Sequence, residues 1–198
     1  MRGHYDDSVR MRQAIVAGKL QDFQRVAGRM AEDDWSPRLR PGYVPFVSSM
    51  RDVASHARTA SSLVTGAMDL GKLGDACAAC HVKFGGPSGP IEPTPMDENT
   101  DATMFDHALA TDLLWDGLIL PSDSSWSMGA SIILEAPPLA SDAPEVATAA
   151  EHLRSLARDA VAAEAPERAQ VFGNLLLTCA ACHEQVGISI ASPLPAPQ

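Results

Sequence analysis

The sequence predicts an all-α protein written twice, as two tandem four-helix bundles. Three observations carry that expectation. Alanine is abundant while aromatic residues make up only 5% of the 198 residues, a balance that suits helices better than strands. Apolar residues recur at helical spacing through most of the chain. Finally, Cys77-Ala78-Ala79-Cys80-His81 recurs letter for letter as Cys179-Ala180-Ala181-Cys182-His183.

The repeat extends upstream of these motifs. Met1-x-x-His4 matches Met104-x-x-His107, with His4 73 residues before Cys77 and His107 72 residues before Cys179. Ten residues after each His, the apolar stretches Ala14-Ile15-Val16-Ala17 and Gly117-Leu118-Ile119-Leu120 coincide, and Phe23 falls opposite Trp126. Identity is otherwise low, so spacing carries the match.

Each half reads as four helices. Residues 2–17 form the first, stopped by Gly18 in the position favoured just past a helix end. The second runs from Leu20 to Glu32, with Phe23, Val26, Ala27 and Met30 on one face. Pro37, Pro41 and Pro45 interrupt the chain before a third helix from about Pro45 to Thr59. The fourth passes through Leu63, Ala67, Leu70 and Leu73 into the first Cys motif. In the second half, Asp142 is a candidate cap for a helix with Val146, Ala149, Leu153, Leu156 and Ala160 as its apolar positions. Pro166 then opens a last helix carrying Val171, Phe172, Leu175, Leu176 and Cys179. The expected domains are residues 1–84 and 102–190, with a Pro/Gly-rich linker at 85–101 and a tail at 191–198.

The net charge of −10 makes nucleic acid an improbable partner, because phosphate binding needs clustered Lys and Arg. No run of 18 or more apolar residues occurs, so no transmembrane segment is expected. The N-terminus is polar and does not read as a secretory leader.

The two Cys-x-x-Cys-His motifs carry the chemistry. Residues three apart on a helix project from nearly the same face, so both thiols can reach one porphyrin edge and form thioether bonds. The adjacent His then ligates the iron, which makes the motif a haem-attachment signature. On this reading Cys77, Cys80, Cys179 and Cys182 bind two haem c groups, and His81 and His183 are the proximal iron ligands. Three alternatives remain open. A four-thiolate zinc site drawn from both Cys pairs leaves the twin histidines unexplained. A thioredoxin-like pair goes with a βαβ pattern that is absent here, and disulfides leave the histidines equally unused.

A helical domain with this motif near its C-terminal end resembles the class II cytochromes c, the cytochrome c′ and c556 type. The resemblance covers nearly the whole chain apart from linker and tail. It implies a four-helix bundle with the motif on its last helix, and a distal haem face supplied by its first helix. Each half is shorter than a typical cytochrome c′, and the tandem arrangement departs from the family pattern.

His4 and His107 match one another on the two first helices and are the candidate distal iron ligands. Met1 and Met104 are the rival pair, and a thioether ligand would raise the haem potential. Met50 and His152, each 27 residues before the first Cys of its motif, read as packing and as partly exposed. Met11 reads as core and His56 as surface. Trp115 and Trp126 suit core filling better than stacking on a porphyrin. Arg10, Arg12, Arg51 and Lys72 are candidates to pair with haem propionates.

The functional expectation is an electron carrier or electron-transfer subunit rather than an enzyme, with a peroxidase-type activity as the least favoured reading. Its partners would be redox proteins with a basic docking surface or members of a membrane electron-transfer complex. Haem attachment occurs on the oxidising side of the cytoplasmic membrane, so a periplasmic or exported protein whose leader has been removed is expected. The alternative is a gas-binding haem protein for NO or CO, which requires an open iron.

Overall fold

The computed structural model describes residues 2–33, 40–86, 102–136 and 144–186. Met1, Trp35, Pro37, Asp142, most of the linker and the whole tail lie outside the described residues. Among the described residues every regular element is helical. The first half contains α1 (Arg2–Val16), α2 (Leu20–Glu32), α3 (Val44–Ala57) and α4 (Leu63–Phe84). The second contains α5 (Ala102–Ile119), α6 (Asp123–Glu135), α7 (Pro144–Ala162) and α8 (Arg168–Val186).

Local chemistry accounts for these boundaries. Gly18, at φ +69°, ends α1, with its N–H donating to the Ile15 carbonyl and the Lys19 N–H donating to that of Ala14. This closure leaves the Val16 carbonyl outside the turn. The end of α5 repeats the longer bond, from the Ser122 N–H to the Gly117 carbonyl, in line with the sequence match. Ser62 and Ser122 cap α4 and α6 by accepting from the backbone N–H groups of Thr65 and Ser125. Pro166 sits in a short 3₁₀ turn, Ala165–Glu167, and α8 begins at Arg168 just after it.

Successive helices pack as neighbours within each half, and α1 and α5 return to α4 and α8. The halves also pack on each other through α4–α8, α4–α5 and α1–α8 contacts, so one buried cluster draws on both. Phe23 and Trp126, opposite each other in the repeat, are both buried in it. The Trp126 indole N–H donates to the Ala160 carbonyl at 2.7 Å, and Trp115 lies tilted on Phe172 at 5.4 Å, so both fill core.

The α4–α8 contact rests on small residues. A Cβ on Gly71 would stand 2.2 Å from the Ala169 carbonyl oxygen, and one on Gly173 would stand 3.1 Å from that of Ala67. Ala67-x-x-x-Gly71 and Ala169-x-x-x-Gly173 are equivalent in the repeat, so this is a self-complementary interface within one chain. As α4 advances from 67 to 71, its partner in α8 recedes from 173 to 169. The two helices are therefore antiparallel.

One buried ion cluster joins the halves. Arg12 of α1 pairs with Asp112 of α5 and donates to the Thr111 carbonyl at 3.1 Å. Asp116, one turn further along α5, is 9% exposed, and its Oδ1 has no hydrogen-bond partner. Burial raises its pKa to about 6, with Asp112 adding to the rise and Arg12 opposing it.

Two stability predictions follow from this packing. Gly71→Ala and Gly173→Ala should each lower unfolding stability by about 1–3 kcal/mol, because the new methyl strikes a neighbouring helix. Gly28→Ala in α2, where a Cβ meets nothing within 4 Å, should instead raise it by up to about 1 kcal/mol. Urea titrations of the three variants test the contrast. The folded state holds the Asp116 proton more tightly than the unfolded chain does, so stability falls as pH rises through about 6. Asp116→Asn should stabilise the protein by roughly 2 kcal/mol at pH 8. Melting curves across the range should show that gain vanishing near pH 4.

Candidate functional site

The C-terminal turns of α4 bring most of the expected first site together. Cys77, Cys80 and His81 line a cavity with His4, Tyr5 and Ser8 of α1, and with Tyr43, Phe46, Val47 and Met50 at the start of α3. Its volume is about 100 Å³, below the roughly 300–1,000 Å³ usual for small-molecule pockets. Tyr43 stacks on Phe84 at 4.0 Å and Phe46 meets the same ring edge-on at 5.3 Å, so one wall is aromatic. Met50, expected as packing, is 5% exposed and faces this cavity.

The second half of the chain completes the first cavity. Ile119, the last residue of α5, lines it, and the Ile119 carbonyl lies 2.7 Å from Nδ1 of His81. The reciprocal contact exists at the other motif, where Nδ1 of His183 lies 3.2 Å from the Val16 carbonyl. Val16 and Ile119 are the last residues of α1 and α5, where carbonyls lack intrahelical partners and the helix dipole is negative. A carbonyl only accepts, so each imidazole carries its proton on Nδ1 and presents Nε2 with its lone pair.

His4 and His107 occupy matching places. Burial lowers the His4 pKa to about 4, and the nearby His81 acts in the same direction. Burial also lowers His107, with His183 as the next contributor. Each first-helix His is thus electrostatically close to the motif His of its own half, and both are held neutral near pH 7. His183 is lowered as well, again mainly by burial. Burial pushes the Cys77 and Cys179 thiols up to about 12 and raises Cys80 and Cys182 in the same direction.

In the second half the equivalent positions line a different surface. Glu145, Thr148, Ala149 and His152 of α7 and Thr178 of α8 line an open groove along the α7–α8 pair. They stand where the repeat has Tyr43, Phe46, Val47, Met50 and Ala76. His152 is exposed, with Nδ1 3.5 Å from the Thr178 hydroxyl. Cys179, Cys182, His107 and His183 do not line this groove.

Several other sequence candidates are engaged elsewhere. Arg12 is buried in the ion cluster, Lys72 pairs with Asp69 at 3.0 Å, and Arg10 lies 3.4 Å from Asp7. Arg51 donates to the Ala31 carbonyl at 2.9 Å. His56, expected at the surface, is largely exposed but bonds the buried Asp69 at 2.7 Å. Met11 is fully buried. All four cysteines are free thiols. Among the described residues no three His, Cys, Asp or Glu side chains gather as a metal-ion set, so the Cys pairs do not converge on one four-thiolate centre. No helix is long and apolar enough to cross a membrane, again among the described residues.

Comparison with protein-family models, curated proteins and solved structures finds no match to this chain.

The raised thiol pKa values have a chemical consequence for the chain without a prosthetic group. At pH 8, iodoacetamide should alkylate Cys80 and Cys182 well before Cys77 and Cys179, because only the thiolate attacks. Peptide mass mapping over time reads the order, and equal rates at all four would contradict the burial described above.

Proposed function

We propose that this chain is a dihaem c-type cytochrome that transfers electrons, built as tandem class II-like bundles whose halves complete one another's haem sites. The observation that carries the reading is the reciprocal pair of bonds from His81 to the Ile119 carbonyl and from His183 to the Val16 carbonyl. Histidines that ligate a metal characteristically donate their other ring N–H to a carbonyl or carboxylate, which orients the ring and raises its basicity. Both motif histidines have that partner, and both keep Nε2 for iron. A disulfide or a thioredoxin-like pair gives no reason for it.

The side chains around the first cavity suit the same group. Cys77 and Cys80 stand one turn apart beside the first cavity, placed for two thioether bonds. His4 lines that cavity, and its neutral imidazole suits it to be the distal ligand; His107 has the same role in the second half. Tyr43, Phe46, Val47 and Met50 would cover the porphyrin and exclude water. Bound haem would supply a one-electron iron couple. What the chain contributes is axial ligation, burial and a fixed ring orientation, which together set the potential.

The charge of −10 suits docking to a basic redox partner, free or within a membrane complex. Covalent attachment places maturation in an exported, periplasm-like compartment. With both irons closed by histidine, electron transfer follows and gas binding does not.

Absorption spectra test this reading. Protein matured with haem-attachment machinery should show low-spin α and β bands on reduction, unmoved by CO. His4→Ala and His107→Ala should each open one iron, giving a CO-sensitive spectrum for about half the haem. A large CO shift in the unsubstituted protein would replace electron transfer by gas binding, and unchanged spectra in both variants would overturn the distal assignment.

A further inference from the structure

We propose that the groove between α7 and α8 is a docking site for a basic amphipathic helix of a partner protein. None of its lining residues is assigned to haem, so this role is independent of the dihaem reading.

The groove has the form that such a helix needs. Its volume is about 660 Å³, and it is open to solvent. Ala149 and Leu156 of α7 and Leu177 and Ala181 of α8 supply apolar surface, with Thr148 and His152 beside them. The α7 members share one face of that helix over about three turns. A helix laid in a groove of this kind inserts apolar residues at matching spacing and keeps its charged face outward, toward the rim.

Charge selects the occupant. Residues 1–86 hold twelve Lys and Arg against nine Asp and Glu, whereas residues 87–198 hold three against sixteen. Those three bases are engaged, Arg154 and Arg158 with Glu151 and the buried Arg168 with Asp123. No Lys or Arg lines the groove. Glu145 lines it at the start of α7, Asp159 follows Leu156 along α7, and Glu184 adjoins Gln185 at the end of α8. All three carboxylates are exposed, and among the described residues none has an ion-pair partner. The repeat makes the contrast local. Where the groove has Glu145, Asn174, Leu177 and Gln185, the first half has Tyr43, Lys72, Asp75 and Lys83. The same strip is thus net positive in one half and net negative in the other, and the negative one attracts Lys and Arg while repelling Asp and Glu. Ala181 and Gln185 flank Cys182 and His183 in sequence, so the docked helix lies against the turn of α8 that carries the second motif.

A fluorescent Leu/Lys amphipathic helical peptide, titrated with the full chain and read by anisotropy, tests the docking site. This peptide should bind, and a Leu/Glu peptide of the same pattern should not. Thr148→Trp, which fills the groove from an exposed position, should weaken binding by about tenfold or more. Glu145→Lys should weaken it by about threefold or more, whereas Asp52→Lys, an equal charge change at an exposed position on α3, should change it by less than about twofold. Failure of the Leu/Lys peptide to bind, equal binding of the Leu/Glu peptide, or unchanged binding in Thr148→Trp would overturn the site. Equal losses in the Glu145 and Asp52 variants would mean diffuse charge attraction and would overturn it too. If Thr148→Trp does not fold, the Glu145 and Asp52 pair decides the matter alone. Haem content, read by absorbance on the same samples, decides the dihaem reading separately.

Discussion

The close antiparallel contact of α4 and α8 is the constraint on which the other features depend. Ala67 with Gly71, and Ala169 with Gly173, let two backbones meet where a methyl group would collide. That contact sets the halves in a two-fold arrangement, and the arrangement brings the end of α5 to His81 and the end of α1 to His183. A helix end has carbonyls to offer and an imidazole has one N–H to give. The geometry satisfies both and leaves Nε2 of each motif His directed elsewhere. The carbonyl partner of each motif histidine therefore belongs to the other half of the chain.

Much of the helical layout was legible in the residues. Gly18 marked the end of α1, and the spacing of Phe23, Val26, Ala27 and Met30 marked both limits of α2. Pro166 marked the start of α8 to within two residues, the difference being the 3₁₀ turn that Glu164 and Glu167 cap. Cys77, Cys80 and His81, and His4 far from them in the chain, all line one cavity.

The pairing of the halves was not read, although its signal lay within the repeat. Gly71 and Gly173 each stand six residues before a motif Cys, and each follows an Ala by four. Such a stripe has no meaning until two helices are known to face each other across it. The carbonyl partners of His81 and His183 had no signature at all, because a backbone acceptor carries no residue type. The arginines fell short as propionate partners for a related reason. Arg12 looks like any cation in the sequence, and only the packing of α1 against α5 shows it neutralising Asp112 inside the protein. Met50 and His152 align in the repeat, yet Met50 lines the cavity of Cys77, Cys80 and His81, whereas His152 lines a groove that the second Cys motif does not reach.

The most direct test of the central claim is the intact mass of the full chain matured with haem-attachment machinery and then stripped of non-covalent groups by acid and organic solvent. The account predicts a mass higher by two haem groups, with peptide mapping placing one on Cys77 and Cys80 and the other on Cys179 and Cys182. An unmodified mass with four free thiols, or the same four cysteines joined as disulfides, would contradict it.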